Sequence, residues 1–242
     1  MMKIVEKIVE KQNANSACSG VTVAFLGDSV TQGCFEIYKK TETSIETVFD
    51  KESAYHKYFS RIFSTLCPSV PVNIINAGIS GGTAPHALQR LERDVLRYSP
   101  DLVVVCFGLN DSSFGLEKLV DYTESLKKIF DKIKESGSEI IFMTPNMKCT
   151  NVSCHITDEL TREIAENQAK GQLEGVMDKY IDSALEICRE KDIIVCDCYK
   201  KWKRLDECGI DVTELMANKI NHPTRDMNWL FAYSLVETIF EA

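Results

Sequence analysis

The chain has 242 residues, 44% hydrophobic and 26% charged, the make-up of a globular protein with one sizeable core rather than a fibrous or disordered one. Its 28 basic and 36 acidic side chains leave a formal charge of -8 with the basic residues scattered, which argues against nucleic acid as the main partner. No apolar run approaches the roughly 20 residues that cross a bilayer, and Lys3, Glu6, Lys7 and Glu10 interrupt the apolar stretch a secretory signal needs, so no membrane span and a cytoplasmic location are expected.

In chain order, Ile4, Val5, Ile8 and Val9 share one helical face, predicting an amphipathic arm over residues 1–20 that docks on a body spanning 21–242. A linker, "NANSACSG", leads to a first strand at 21–27, and the polar stretch "EIYKKTETSIETVFDKESA" is expected to run over the surface. Tyr55, Tyr58, Phe59, Ile62, Phe63 and Leu66 recur at helical spacing. A second strand fits "VNIINAG" (72–78), followed by a helix that Pro100 ends. "DLVVVCFG" (101–108) is too continuously apolar for a half-exposed strand and belongs inside a parallel sheet covered on both faces. A helix ending at Gly137, a strand in "SEIIFMTP", a long helix over 158–190, a fifth strand in "DIIVCDC" and a last helix from Thr224 to Ile239 complete the reading. Strands alternating with helices predict a doubly wound, mostly parallel five-stranded α/β sheet, with its site at the carboxyl ends of the strands.

Those ends read "FLGDSVTQG", "INAGISGGTA" and "CFGLNDSS", and "INHPTRDMNWLFA" precedes the last helix. Acyl transfer by serine needs a nucleophile, a base within reach and donors aimed at the developing oxyanion. Ser29 stands where a strand turns into a helix, Gly78 offers an N–H with no Cβ in front of it, Asn110 offers a side-chain NH2, and His222 can take and return the proton. Asp28 and Asp111 are expected to hold the surrounding loops by accepting backbone N–H bonds. His56 and His86 read as packing or surface residues, while His155 lies in a loop that could border the cleft. Cys149, Cys154 and His155, with Cys196 and Cys198, do not match the two tight pairs of a structural zinc site, and no metal or cofactor is expected. The ten cysteines sit mostly in apolar segments and read as reduced core thiols.

Together, "GDSVTQG", "NAGISGGTA", "GLND" and "NHP" resemble, in order, the four sequence blocks of the SGNH hydrolases, also called GDSL esterases and lipases. The resemblance covers residues from about 21 to 240. It implies a three-layer α/β/α sandwich, Ser29 as nucleophile, Gly78 and Asn110 as oxyanion donors and His222 as base. It also implies an acid three residues before the histidine, where this chain has Lys219. A backbone carbonyl or Asn218 could orient His222 instead, or an acid such as Asp197 or Asp206 could be supplied from elsewhere. The expected activity is hydrolysis of short acyl esters, O-acetyl groups of a carbohydrate or a similar small polar ester. The rival readings are a non-catalytic binding protein that Lys219 has disarmed, and a lipid, lysophospholipid or thioester hydrolase.

Overall fold

Along the first strand Val21, Val23 and Phe25 enter one apolar core and Ala24 and Leu26 another, all fully buried. Leu102 and Val104 against Val103 and Val105 repeat this two-residue alternation, as do Ile141 and Met143 against Ile140 and Phe142. Such strands have no polar face, so the sheet they form must be covered on both sides. The computed structural model, which describes residues 1–242, shows how. Its elements in order are α1 (Lys3–Asn13), β1 (Val21–Gly27), α2 (Ser29–Gln32), β2 (Cys34–Thr41), β3 (Ser44–Phe49), α3 (Tyr55–Leu66), β4 (Val72–Gly78), α4 (Ala84–Asp94), β5 (Leu102–Val105), α5 (Leu119–Glu135), β6 (Glu139–Met143), α6 (Glu159–Leu173), α7 (Val176–Glu190), β7 (Ile194–Cys196), α8 (Cys198–Glu207) and α9 (Asn228–Glu241).

The five parallel strands lie in the order β4-β1-β5-β6-β7. Residues of α1, α3, α8 and α9 pack on one face, with Phe59, Trp202 and Phe231 fully buried, and those of α4, α5 and α7 pack on the other around Leu126, Phe130 and Tyr180. This is the expected α/β/α sandwich. Chain order along the sheet reverses between β1 and β5, and the crevice outside their carboxyl ends is where an open α/β sheet places its ligand. The arm is seated rather than loose: Ile4, Val5 and Ile8 are buried in the larger core, and Glu139 of β6 accepts the N–H groups of Lys3 and Ile4 at 2.8 Å each. No helix is long and apolar enough to cross a membrane.

Three details depart from the sequence reading. The stretch expected to wander over the surface is an antiparallel hairpin, β2 with β3. The long helix at 158–190 is two, α6 and α7, parted at Gly175, whose φ of +74° is left-handed. The fifth strand stops at Cys196, because Asp197 accepts the Lys200 N–H at 3.1 Å and starts α8 there.

Candidate active site

Strand β1 ends at Gly27, and Asp28 caps the short helix that follows by accepting the Val30 N–H at 3.0 Å. Ser29 is therefore the first helical residue, buried at the sheet edge with its N–H unused by any acceptor in the chain. Its hydroxyl lies 2.9 Å from Nε2 of His222. The other ring nitrogen, Nδ1, lies 2.9 Å from the carbonyl oxygen of Phe35, in β2. A carbonyl only accepts, so Nδ1 carries the proton and Nε2 presents its lone pair to the serine hydroxyl. Burial lowers the imidazole pKa to about 4, against the opposing pull of the Phe35 carbonyl and Glu36, and the ring is neutral at pH 7.

The loop that delivers His222 is built by Asn218. Its Oδ1 accepts the N–H groups of Ile220, Asn221 and His222 at 3.0, 2.9 and 2.9 Å, so it sets the backbone of the histidine and does not touch its ring. Lys219, at a left-handed φ of +58°, turns its ammonium away onto Glu214, 2.7 Å from Oε2. Of the two acids considered as replacements, Asp197 is occupied by the Thr144 hydroxyl and the α8 N-terminus, and Asp206 sits on α8, outside the contacts of the His222 ring. The orienting group is the carbonyl.

Asn110, in the loop five residues beyond the β5 end, donates one amide N–H to Gly82 O at 3.0 Å, which leaves the second for the cavity it lines. Gly78 requires a correction as an oxyanion donor. Its N–H is taken by Asn76 Oδ1 at 3.0 Å, and a Cβ there would lie 2.3 Å from the Gln32 nitrogen, so this glycine lets α2 pack on β4. Gly81 lines the cavity in its place, with a left-handed φ of +72° and an N–H that bonds nothing in the chain. Asp111 ties this edge together, accepting from Ala84 N at 2.9 Å and Gly108 N at 3.1 Å. Burial raises the carboxyl pKa of Asp28 to about 7 and of Asp111 to about 6.

Two supports have no signal in the sequence. Arg90 of α4 is buried and donates to Ala77 O at 2.6 Å and Gly27 O at 3.0 Å, bridging the ends of β4 and β1. Lys148 is 1% exposed, donates to the Ser113 hydroxyl at 2.9 Å, and has its pKa pressed down to about 7 by burial. His155 is exposed and borders a neighbouring cleft that shares Ile37 and Asn218 with the Ser29 cavity but is not lined by Ser29. His86 is exposed, whereas His56 is buried against Phe25. Seven of the ten cysteines are buried and all ten are free thiols.

Ser29, His222, Asn110 and Gly81 open on one cavity of about 290 Å³, walled by Ile37, Ile45 and Thr47 of the hairpin, Phe114, Ile164 and Gln168. A family model described as the GDSL-like lipase/acylhydrolase family matches residues 25–230. The chain belongs to this family, the SGNH hydrolases. Among its SGNH relatives, an acetylxylan esterase from Geobacillus stearothermophilus is 30% identical over 136 residues, 52% of this chain and 60% of that one. An arylesterase from Vibrio mimicus is 38% identical over 72 residues, 30% of this chain and 36% of its own. Both matches thus span less than two thirds of the relative. Among solved structures, Axe2, an acetylxylan esterase from G. stearothermophilus, superposes with a TM-score of 0.67 at 23% identity, covering 91% of this chain and 94% of Axe2. LAE5, an alpha/beta hydrolase from the metagenome of Lake Arreo, gives 0.67 at 18% identity, covering 91% and 95%. At these identities the solved structures speak for the fold alone. Catalytic mutants of Axe2 have been solved at a serine, an aspartate and a histidine, with the aspartate three positions before the histidine; Lys219 stands at that spacing here.

Proposed function

We propose that the protein is a serine esterase that removes short acyl groups, O-acetyl substituents of a carbohydrate or a comparable small polar ester, with Ser29 as nucleophile and His222 as base. The observation that carries this reading is the 2.9 Å contact between Ser29 Oγ and an imidazole nitrogen that the Phe35 carbonyl forces to be unprotonated. Ser29 Oγ attacks the ester carbonyl carbon while its proton passes to Nε2. The carbonyl π electrons move onto oxygen, and that oxyanion meets the Ser29 and Gly81 N–H groups and the spare Asn110 N–H. Collapse re-forms the carbonyl and breaks the bond to the leaving alkoxide, which takes the proton from Nε2. Water then attacks the acyl-enzyme, gives a proton to the same nitrogen, and the released serine recovers it. During both steps the transient imidazolium is held by the Phe35 carbonyl, the job an acid does in a triad.

The small acyl group is supported by the cavity, whose 290 Å³ lies at the lower end of the range for small-molecule sites, about 300–1,000 Å³. The polar leaving group is supported by Ser80, Ser113, Gln168, Asn218 and Asn221 on the cavity wall, and by the acetylxylan esterase name of one sequence relative. Turnover of p-nitrophenyl acetate, p-nitrophenyl octanoate and acetylated xylo-oligosaccharide tests it. The expected result is hydrolysis of the acetyl esters, weak hydrolysis of the octanoate, and loss of both in Ser29→Ala and His222→Ala. Equal turnover by Ser29→Ala would sink the mechanism, and a preference for octanoate would sink the substrate class.

A further inference from the structure

Arg225 lies three residues beyond His222 and reaches back across the base of the hairpin. Its Nη1 and Nη2 donate to Glu36 Oε1 and Oε2 at 2.6 and 3.2 Å, and its Nε donates to Asp50 Oδ2 at 2.9 Å. Its guanidinium also lies over the Phe35 ring, 4.4 Å from the centroid. Glu36 is the neighbour of Phe35 on β2. Asp50 follows β3, and its N–H donates to Gly33 O at 2.8 Å. One side chain therefore grips both legs of the hairpin and the ring of the residue whose carbonyl holds the imidazole. Bidentate pairing to one carboxylate, a third bond to another and a stacked aromatic use the planar guanidinium in a way no ammonium can reproduce.

Charge adds to position. Two carboxylates around one guanidinium leave the cluster with one net negative charge behind the Phe35 carbonyl, on the side of His222 away from Ser29. Glu36 is the charged group that acts on the imidazole, and the charge of Lys219, three residues before it in the chain, is met by Glu214. We propose that Arg225, Glu36 and Asp50 form a positioning clamp that fixes the Phe35 carbonyl on His222 Nδ1 and supplies the negative charge that a triad acid would bring from the position of Lys219. The proposal rests on the serine esterase reading for its consequence in rate, while the placement of the imidazole proton can be observed without turnover. Its three members are positioning residues, since none reaches the cavity.

The test compares wild type, Arg225→Met, Arg225→Lys, Glu36→Gln and Ser29→Ala. It measures p-nitrophenyl acetate kinetics across pH, the proton NMR signal of the His222 Nδ1–H, and thermal unfolding. Arg225→Met is expected to lower kcat ~10–100-fold, as small misplacements of a catalytic group do, with KM unchanged and the Nδ1–H signal broadened or lost. Arg225→Lys restores little. Glu36→Gln keeps the shape, lowers kcat and shifts the acidic limb of the pH profile downward, because a negative charge near the imidazolium has gone. A folded Arg225→Met with wild-type kcat and an unchanged Nδ1–H signal overturns the clamp. If Arg225→Met does not fold, Glu36→Gln decides in the same way. If Ser29→Ala keeps full turnover the esterase reading fails, and the Nδ1–H signal in the Arg225 variants still decides whether the clamp holds the ring.

Discussion

His222 makes two ring hydrogen bonds that only one tautomer can satisfy, and it makes them in a buried place that lowers its pKa to about 4. A base must be neutral to work, so the rate is expected to stay level from neutral pH down to mildly acidic pH and to fall only as pH drops through about 4. The acidic limb of kcat/KM measures this directly. On the proposed mechanism Asn110→Ala removes an oxyanion donor and is expected to lower kcat by ~10²–10³, with the KM for p-nitrophenyl acetate little changed. Lys219→Ala, in contrast, breaks an ion pair at the loop surface; such pairs contribute ~0–1 kcal/mol, and kcat is expected to remain at the wild-type value. Ser29, Asn110 and His222 could be singled out in the sequence because each follows a strand or precedes a helix in a short polar block. The choice among Gly78, Gly81 and Gly82 could not be made there, since it depends on the Asn76 side chain taking the Gly78 N–H. The Phe35 carbonyl was equally out of reach: every residue has one, and only the fold says which points at a histidine.

At the level of elements, apolar pattern was sufficient wherever both faces of a strand or one stripe of a helix are buried. β1 and β4 begin and end where the sequence places them, at 21–27 and 72–78. The hairpin escaped because its strands are half exposed, and Lys39 and Lys40 interrupt the alternation of β2. It is fixed by contacts at its base, not by a core of its own. The two-helix break was missed for a related reason, since an isolated glycine within an amphipathic run is common and only the left-handed φ at Gly175 marks it as a turn. Packing of α2 on β4 provides the test at this scale. Gly78→Ala drives a Cβ against the Gln32 backbone, and overpacking of that kind is expected to cost ~1–3 kcal/mol. Urea denaturation checks it, with the shift in midpoint separating a packing role from loss of an oxyanion donor.

For the molecule as a whole, the switch point between β1 and β5 gathers buried charge-capable groups at one edge, and stability should carry their signature. The Asp28 carboxyl has a folded pKa raised by burial to about 7, so the stability it contributes is complete below the ordinary carboxylate range and is lost as pH rises through about 7. Asp28→Asn does not titrate, and its melting temperature relative to wild type is expected to rise from pH 4 to about pH 7 and to level off above it. His222 acts in the opposite sense, its folded pKa lying below the unfolded one, so its contribution is lost as pH falls toward about 4. Order and layering of the sheet were open to a reader of the sequence, because continuous apolar strands alternating with helices allow few other arrangements. What no pattern announces is the double use of the hairpin. It walls the cavity with Ile37, Ile45 and Thr47, and from β2 it gives His222 its acceptor. On the proposed esterase reading, pocket shape and base strength are thus inherited together: a graft of the whole hairpin that widens the cavity also detunes the base, and re-engineering of chain-length preference must keep residues 34–36 and exchange only the wall residues Ile37, Ile45 and Thr47.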